Sequence, residues 1–407
     1  MPSSPMPSGA RWRPLTVLQV VPALETGGAE RATVDIAAAL AERGDRALVA
    51  SVGGRLSAEL TAAGGTLVPL PADTKNPLRL GMLALRLAQL IRREKVDIVH
   101  ARSRAPAWAA RLACRITGVP FVTTFHGIYG EKSATKHHYN SVMAAGDVVI
   151  ANSQYTAGLI TERYGTAPER IVVIPRGTDP ERFDPNVVGE ERRQALRHAW
   201  KLSGDETLVL NLARLTGWKG QTVLVEAASL PPLAERDRLV LVLAGDEQGR
   251  AGYRQALEQS IAAHDLTKRA RIVGHCADTP AALALAAVAV IASTEPEAFG
   301  RAAIEAAAMS IPVVATALGA TSETVLAPPQ CPAAERTGWL VPPGDPVALA
   351  AAIDAALSLP PTERQQLAER ARQHAMRFTT QAMQEATLAV YDRLMSPSRV
   401  GERLSKG

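Results

Sequence analysis

Two carboxylates, two cations and one imidazole stand where chemistry could be done. Glu297 and Glu305 lie eight positions apart in Ser293-Thr-Glu-Pro-Glu-Ala-Phe-Gly-Arg-Ala-Ala-Ile-Glu305. Ahead of them, Val288–Ala292 is a short apolar, β-branched run that reads as a buried parallel strand. Behind them, Ala303, Ile304, Ala307 and Ala308 share one face of a helix. Glu297 therefore sits in a loop just outside the strand's carboxyl end, and Glu305 a little over one helical turn further in. Gly300 lets the backbone approach a ligand, and the helix's first turn offers unpaired N–H groups to an anion. Hydroxyl-accepting carboxylates beside a phosphate-sized anion hole suit a sugar nucleotide. From spacing alone, a capping Glu and a solvated helix Glu read the same way.

The cations are Arg214 and Lys219, five residues apart in Arg-Leu-Thr-Gly-Trp-Lys-Gly, behind the strand Thr207–Ala213. A guanidinium and an ammonium on a glycine-flanked loop can neutralise two phosphates, although ordinary surface charge has the same composition. The imidazole is His126, in Phe-His-Gly-Ile-Tyr-Gly after the strand Phe121–Thr124, at the edge where open α/β sheets bind ligands. A lone His is also a common structural hydrogen-bonder. His100 ends the preceding strand.

Elements that must position these groups recur as strand and helix along the whole chain. Leu15–Val21 is a strand, and Ala29 to Arg43 a helix with Ala32, Ile36, Ala39 and Leu40 inward. The turn between them holds Gly27, Gly28 and Glu30 and does not spell Gly-x-Gly-x-x-Gly, which disfavours a nicotinamide or flavin site. Arg46–Val52, Thr66–Pro69, Leu78–Glu94, Val96–Ala101, Pro106–Thr117 and Phe121–Thr124 continue the alternation, which means a parallel sheet with helices on both faces. Val148–Ser153 is another strand, with Asn152-Ser153 capping the helix Gln154–Tyr164. A hinge is expected near Pro185; beyond it, Thr207–Ala213 opens a second doubly wound domain. The helices Pro346–Leu357, Pro361–Phe378 and Thr379–Met395 close the chain.

The 407 residues, 47% of them hydrophobic, allow two or three packed domains. The three cysteines form no Cys-x-x-Cys or Cys/His cluster, so neither a disulfide framework nor a zinc site is indicated and a reducing cytoplasm fits. Residues 1–14 read as a loose Pro/Ser-rich tail, and no run reaches the roughly 20 apolar residues of a membrane-spanning helix. The charge of +5 is mildly basic. Arg79, Arg86, Arg92 and Arg93 on one amphipathic helix, with Arg102, Arg104, Arg111, Arg115, Lys132, Lys136, His137 and His138, could rest on anionic lipid, grip an acidic acceptor, or form an ordinary solvated face. Aromatic residues are too few there for nucleic-acid stacking.

Glu297-x-Phe299-Gly300-x4-Glu305 resembles the Glu-x7-Glu signature of retaining GT-B glycosyltransferases of family 4 (group 1). Other landmarks follow in family order: the Gly27-Gly28-x-Glu30 turn, His126-Gly, Ile174-Pro-Arg-Gly-Thr-Asp179, Arg214-Leu-x3-Lys219-Gly, Ile311-Pro-Val-Val-Ala and Gly338-x-Leu-Val-x-Pro. Arg176, Ala213 and Ser310 stand where the family commonly has Asn, Gly and Gly. The resemblance implies two Rossmann-like domains facing a cleft: an acceptor-side domain, 15–185, a nucleotide-sugar domain, 186–378, and a crossover helix and tail, 379–407. It implies that Arg214 and Lys219 hold the donor diphosphate, Glu305 accepts ribose hydroxyls, and Glu297 orients the sugar with amides near Phe299 and Gly300. Gly27 and Gly28 face donor and acceptor, and His126 contacts the transferred sugar. Glu30, His100 and Arg102 fall on the acceptor side.

The activity so implied is transfer of a hexose from a UDP- or GDP-sugar to a glycan or lipid-linked acceptor, in lipopolysaccharide, capsule or exopolysaccharide synthesis at the cytoplasmic membrane face. No cofactor or metal is expected, and no Asp-x-Asp occurs. A sugar-nucleotide epimerase of the same fold and a non-catalytic sugar-nucleotide-binding subunit are the alternatives.

Overall fold

The computed structural model describes residues 13–25, 27–131, 133–249 and 251–396. The N-terminal tail up to residue 12, Lys132 and the stretch from residue 397 lie outside the described residues.

Two compact units form. The first is built on a seven-stranded parallel sheet of β1 (Thr16–Val20), β2 (Arg46–Ser51), β3 (Thr66–Pro69), β4 (Ile98–Ala101), β5 (Phe121–Phe125), β6 (Val148–Ala151) and β7 (Ile171–Val173), in the order β3-β2-β1-β4-β5-β6-β7. The second carries six parallel strands, β8 (Thr207–Leu212), β9 (Leu239–Ala244), β10 (Ala270–Gly274), β11 (Val288–Ile291), β12 (Val313–Thr316) and β13 (Trp339–Val341), in the order β10-β9-β8-β11-β12-β13. Successive side chains of a strand point to opposite faces. Leu18 and Val20 accordingly enter one core of the first unit, while Val17 and Val21 enter the other. In the second unit Val240 and Val242 face one core, and Leu239, Leu241 and Leu243 the opposite one. Burial on both faces is why these strands read as near-continuous apolar runs.

In each sheet the strand order reverses beside its first strand: between β1 and β4, and between β8 and β11. The loops leaving the carboxyl ends of such a pair diverge to opposite faces and leave a crevice where open α/β sheets bind ligands.

The units divide between Ile174 and Pro175, earlier than the hinge expected near Pro185. Phe183 and Val188 explain the difference, because both are buried in the second unit's core. Among the described residues the final helix, Thr380–Leu394, belongs to the first unit from Met383 onward. Its fully buried Tyr391 meets His100 Nδ1 at 2.7 Å, while His100 Nε2 meets Thr124 Oγ1 at 2.7 Å. Arg102 is also buried, and its Nε donates to Gln19 Oε1 at 2.7 Å. His100 has no exposed surface. The residue expected on the acceptor side is therefore a strut that ties the helix Thr380–Leu394 to β4 and β5.

Burial, with the Arg102 charge near it, holds the His100 imidazole well below its ordinary 6.5. The unfolded chain then binds more protons than the folded one as pH drops below about 6.5, so stability falls with falling pH, by at most about 1.4 kcal/mol per pH unit for this group. Denaturant unfolding of wild type and His100→Gln below about pH 6.5 checks this. The variant is expected to show a shallower loss; His374, also lowered chiefly by burial, and lowered carboxylates such as Asp278 and Glu131 account for what remains.

Candidate active site

The second unit's candidate residues converge on the loops that leave β8, β11 and β12, three adjacent strands. Lys219 closes the β8 loop, and its Nζ lies 2.5 Å from Glu297 Oε1. Ser293 Oγ donates to the same oxygen at 2.5 Å. Lys219 Nζ also stands 4.3 Å from the centroid of the Trp218 ring. Both charged side chains are largely shielded, 17% and 10% exposed, where charge interactions are stronger than in water and an uncompensated charge is costly.

Glycines make this arrangement possible. Gly220, at φ +67°, lies so close to β11 that a Cβ there would fall 1.8 Å from Ala292 O. Gly319, at φ +70°, pairs with Glu297 in a parallel bridge, and a Cβ on it would fall 2.3 Å from Glu297 O and 2.6 Å from Glu297 N. Ala320 N donates to Glu297 O at 2.8 Å, which completes the backbone clamp. The Glu297 carboxylate is thus aimed by the β12 loop as much as by its own.

Gly300, at φ +86°, caps the eight-residue helix Arg301–Ala308. Inside that helix Arg301 Nη2 meets Glu305 Oε1 at 2.7 Å, and the Glu305 side chain is 14% exposed. Phe299 is buried in the core against Phe378, with ring centroids 5.5 Å apart, so only its backbone can serve a ligand. Arg214 is exposed; its Nη1 lies 3.4 Å from Gln248 Oε1, and its carbonyl accepts from the buried Gln221 Nε2 at 2.9 Å.

The first unit holds the other candidates. Gly27 precedes the helix Gly28–Glu42 at the end of β1, and Glu30 folds back so closely that a Cβ on Gly27 would fall 2.3 Å from its Oε2. His126 follows β5, half-buried, and its carbonyl accepts from Asn152 Nδ2 at 3.4 Å. Ser153, not Asn152, caps the next helix, accepting from Thr156 N at 3.0 Å. His100 and Arg102 are withdrawn into the interior, as described above.

Sequence reasoning missed Ser293, Gln221 and the clamp by Gly319. Ser293 carried a usable signal, as a small hydroxyl just past the strand's carboxyl end in the same loop as Glu297; Gln221 did not, because its partner is a backbone carbonyl.

Two doubly wound parallel-sheet units, with paired carboxylates and cations at a strand switch point, define a glycosyltransferase of the GT-B fold. Residues 26–182 match the family described as Glycosyltransferase Family 4, and residues 192–374 match Glycosyl transferases group 1. A D-inositol 3-phosphate glycosyltransferase of Xylanimonas cellulosilytica is 32% identical over 345 residues, 79% of this chain and 79% of the relative. Among solved structures, a glycosyltransferase from Rickettsia africae superposes with a TM-score of 0.85 at 34% identity, covering 95% of this chain and all of that one. Anabaena Alr3699/HepE, solved with UDP and glucose, superposes at 0.78 with 26% identity, covering 92% and 99%. The chain belongs to the family 4, group 1 glycosyltransferases and is a hexosyltransferase.

Gly319→Ala tests the clamp. Its positive φ alone costs about 1–2 kcal/mol for a side-chain-bearing residue, and the Cβ must also displace the Glu297 backbone. Denaturant unfolding should show at least that loss, and turnover measured where the variant is still folded should drop tenfold or more, within the roughly 100-fold that an ångström of misplacement can cost.

Proposed function

We propose that the enzyme transfers a hexose from UDP-hexose to an acceptor hydroxyl with retention of anomeric configuration. One observation carries the reading: Lys219, Ser293 and Glu297 share a shielded point at the switch between β8 and β11, one loop away from Arg301 and Glu305. Negative charge grows on the departing diphosphate as the glycosidic bond breaks, and a fixed ammonium and guanidinium compensate it there. Lys219 and Arg214 take that part, with the first-turn amides of the helix Arg301–Ala308 as further donors. Glu297, aimed by Ser293 and Gly319, accepts hydroxyls of the hexose; Glu305 accepts those of the ribose. A front-face course, in which the leaving phosphate receives the acceptor proton, needs no protein nucleophile.

UDP is chosen as the donor diphosphate because the Anabaena relative was solved with UDP and glucose. The acceptor in our first reading is a glycan or lipid-linked glycan of the cell envelope. A phosphorylated cyclitol is the second, favoured by the name of the Xylanimonas relative.

Thermal melting with UDP, GDP and ADP decides the donor. A ligand at about 100 times its dissociation constant adds roughly 2.7 kcal/mol, so UDP should raise the melting temperature of the wild type and leave that of Glu305→Ala unchanged. A selective GDP shift would overturn the choice of base. With UDP-glucose, product analysis against D-inositol 3-phosphate and against lipid-linked glycans separates the two acceptor readings. Anomeric coupling constants in the product check retention, and turnover of donor without acceptor into an isomeric sugar nucleotide would favour the epimerase.

Arg214→Ala should lower kcat about 100-fold or more, as removal of one transition-state donor typically does, without loss of melting temperature because the side chain is exposed. Unchanged turnover would remove Arg214 from the site.

A further inference from the structure

The helix Pro77–Glu94 buries Leu83, Leu87 and Ile91 against the first sheet, yet its outer face is not simply polar. Leu78, Met82 and Leu85, at i, i+4 and i+7, are 81%, 55% and 64% exposed. Arg79, Arg86 and Arg93 recur every seven residues along one flank of that stripe, all exposed. The adjoining helix Arg104–Thr117 adds exposed Leu112 and Ile116, with Arg115 beside them. Arg92 Nη2 donates to Ile116 O at 3.4 Å, so the two helices are joined at this end.

A helix of a globular unit ordinarily turns one apolar stripe inward and charge outward. Here a second apolar stripe points away from the core, and exposed apolar patches rimmed by polar residues mark interaction surfaces. Charge identifies the partner. Glu94 is the only acid in either helix, and it is already taken by Arg46 and Arg93. A second copy docked about a two-fold axis would set these arginines against themselves. An anionic bilayer surface matches both components: the leucines enter the headgroup boundary while the guanidinium groups reach lipid phosphates.

We propose that the outer faces of the helices Pro77–Glu94 and Arg104–Thr117 form a docking surface for an anionic lipid bilayer. No helix among the described residues is long and apolar enough to cross a membrane. The attachment is peripheral, and neither helix is inserted along its length.

Vesicle co-sedimentation of the full chain tests this, with phosphatidylcholine alone and with phosphatidylcholine containing phosphatidylglycerol. Wild type should pellet with the anionic vesicles only and progressively less as salt rises. Leu78→Ser/Met82→Ser/Leu85→Ser should reduce partitioning about tenfold or more. Arg79→Gln/Arg86→Gln/Arg93→Gln should do likewise. Thermal melting should be unchanged in both variants, because every altered side chain is exposed. The proposal is overturned if wild type ignores anionic vesicles, if it binds neutral ones equally, or if the serine variant pellets as wild type does. Sedimentation equilibrium covers the rival occupant: a dimer that the serine variant abolishes, in a protein that does not bind vesicles, would assign the surface to a second copy.

Discussion

Shielding the Lys219–Glu297 pair is the constraint around which the second unit is arranged. Two charges taken out of water lose several kcal/mol of hydration each, and their attraction restores this only when the geometry is tight and further hydrogen bonds are supplied. Ser293 supplies one such bond, on the oxygen that Lys219 already holds. The rest of the requirement is positional. The ammonium comes from the loop after β8, the carboxylate from the loop after β11, and the backbone clamp from the loop after β12. Adjacent order in the sheet is what brings three loops so distant in sequence to one point. Gly220 and Gly319 then let backbones pass within distances that no side chain would tolerate.

The first unit handles polarity in the opposite way. Gln19, His100, Arg102, Thr124 and Tyr391 are buried, and the hydrogen bonds among them run between strands and the helix Thr380–Leu394. Gln19 Nε2 in turn donates to Thr33 O at 2.9 Å, tying in the helix Gly28–Glu42. Such a network is costly if any member lacks a partner, so it specifies one placement of the helix Thr380–Leu394 more sharply than apolar packing would.

The alternation of strands and helices was legible because buried parallel strands are written as short apolar runs. The helix Pro346–Leu357 was placed to the residue, marked by Asp345, whose side chain accepts from Ala348 N, and by Pro346 at its start. The helix expected from Pro106 begins at Arg104, since a proline within the first turn breaks no hydrogen bond. The short helices Ser57–Ala62 and Ala134–Ser141 went unread: they are too brief to show a period and owe their form to surrounding packing. His100 and Arg102 were misread for a related reason. A polar residue at a strand's carboxyl end looks alike in sequence whether it meets ligand or a helix nearly 300 residues away.

That distant helix has a consequence for how the protein is made. A ribosome releases the chain from its N-terminus, and domains generally fold in that order as they emerge. The first unit departs from that order, because Met383, Val390, Tyr391 and Leu394 belong to its core and are translated only after the second unit. Until they arrive, the apolar face of its sheet that they cover, together with His100, must wait uncovered while the entire second unit is translated. The unit that is translated first of the two is thus completed second.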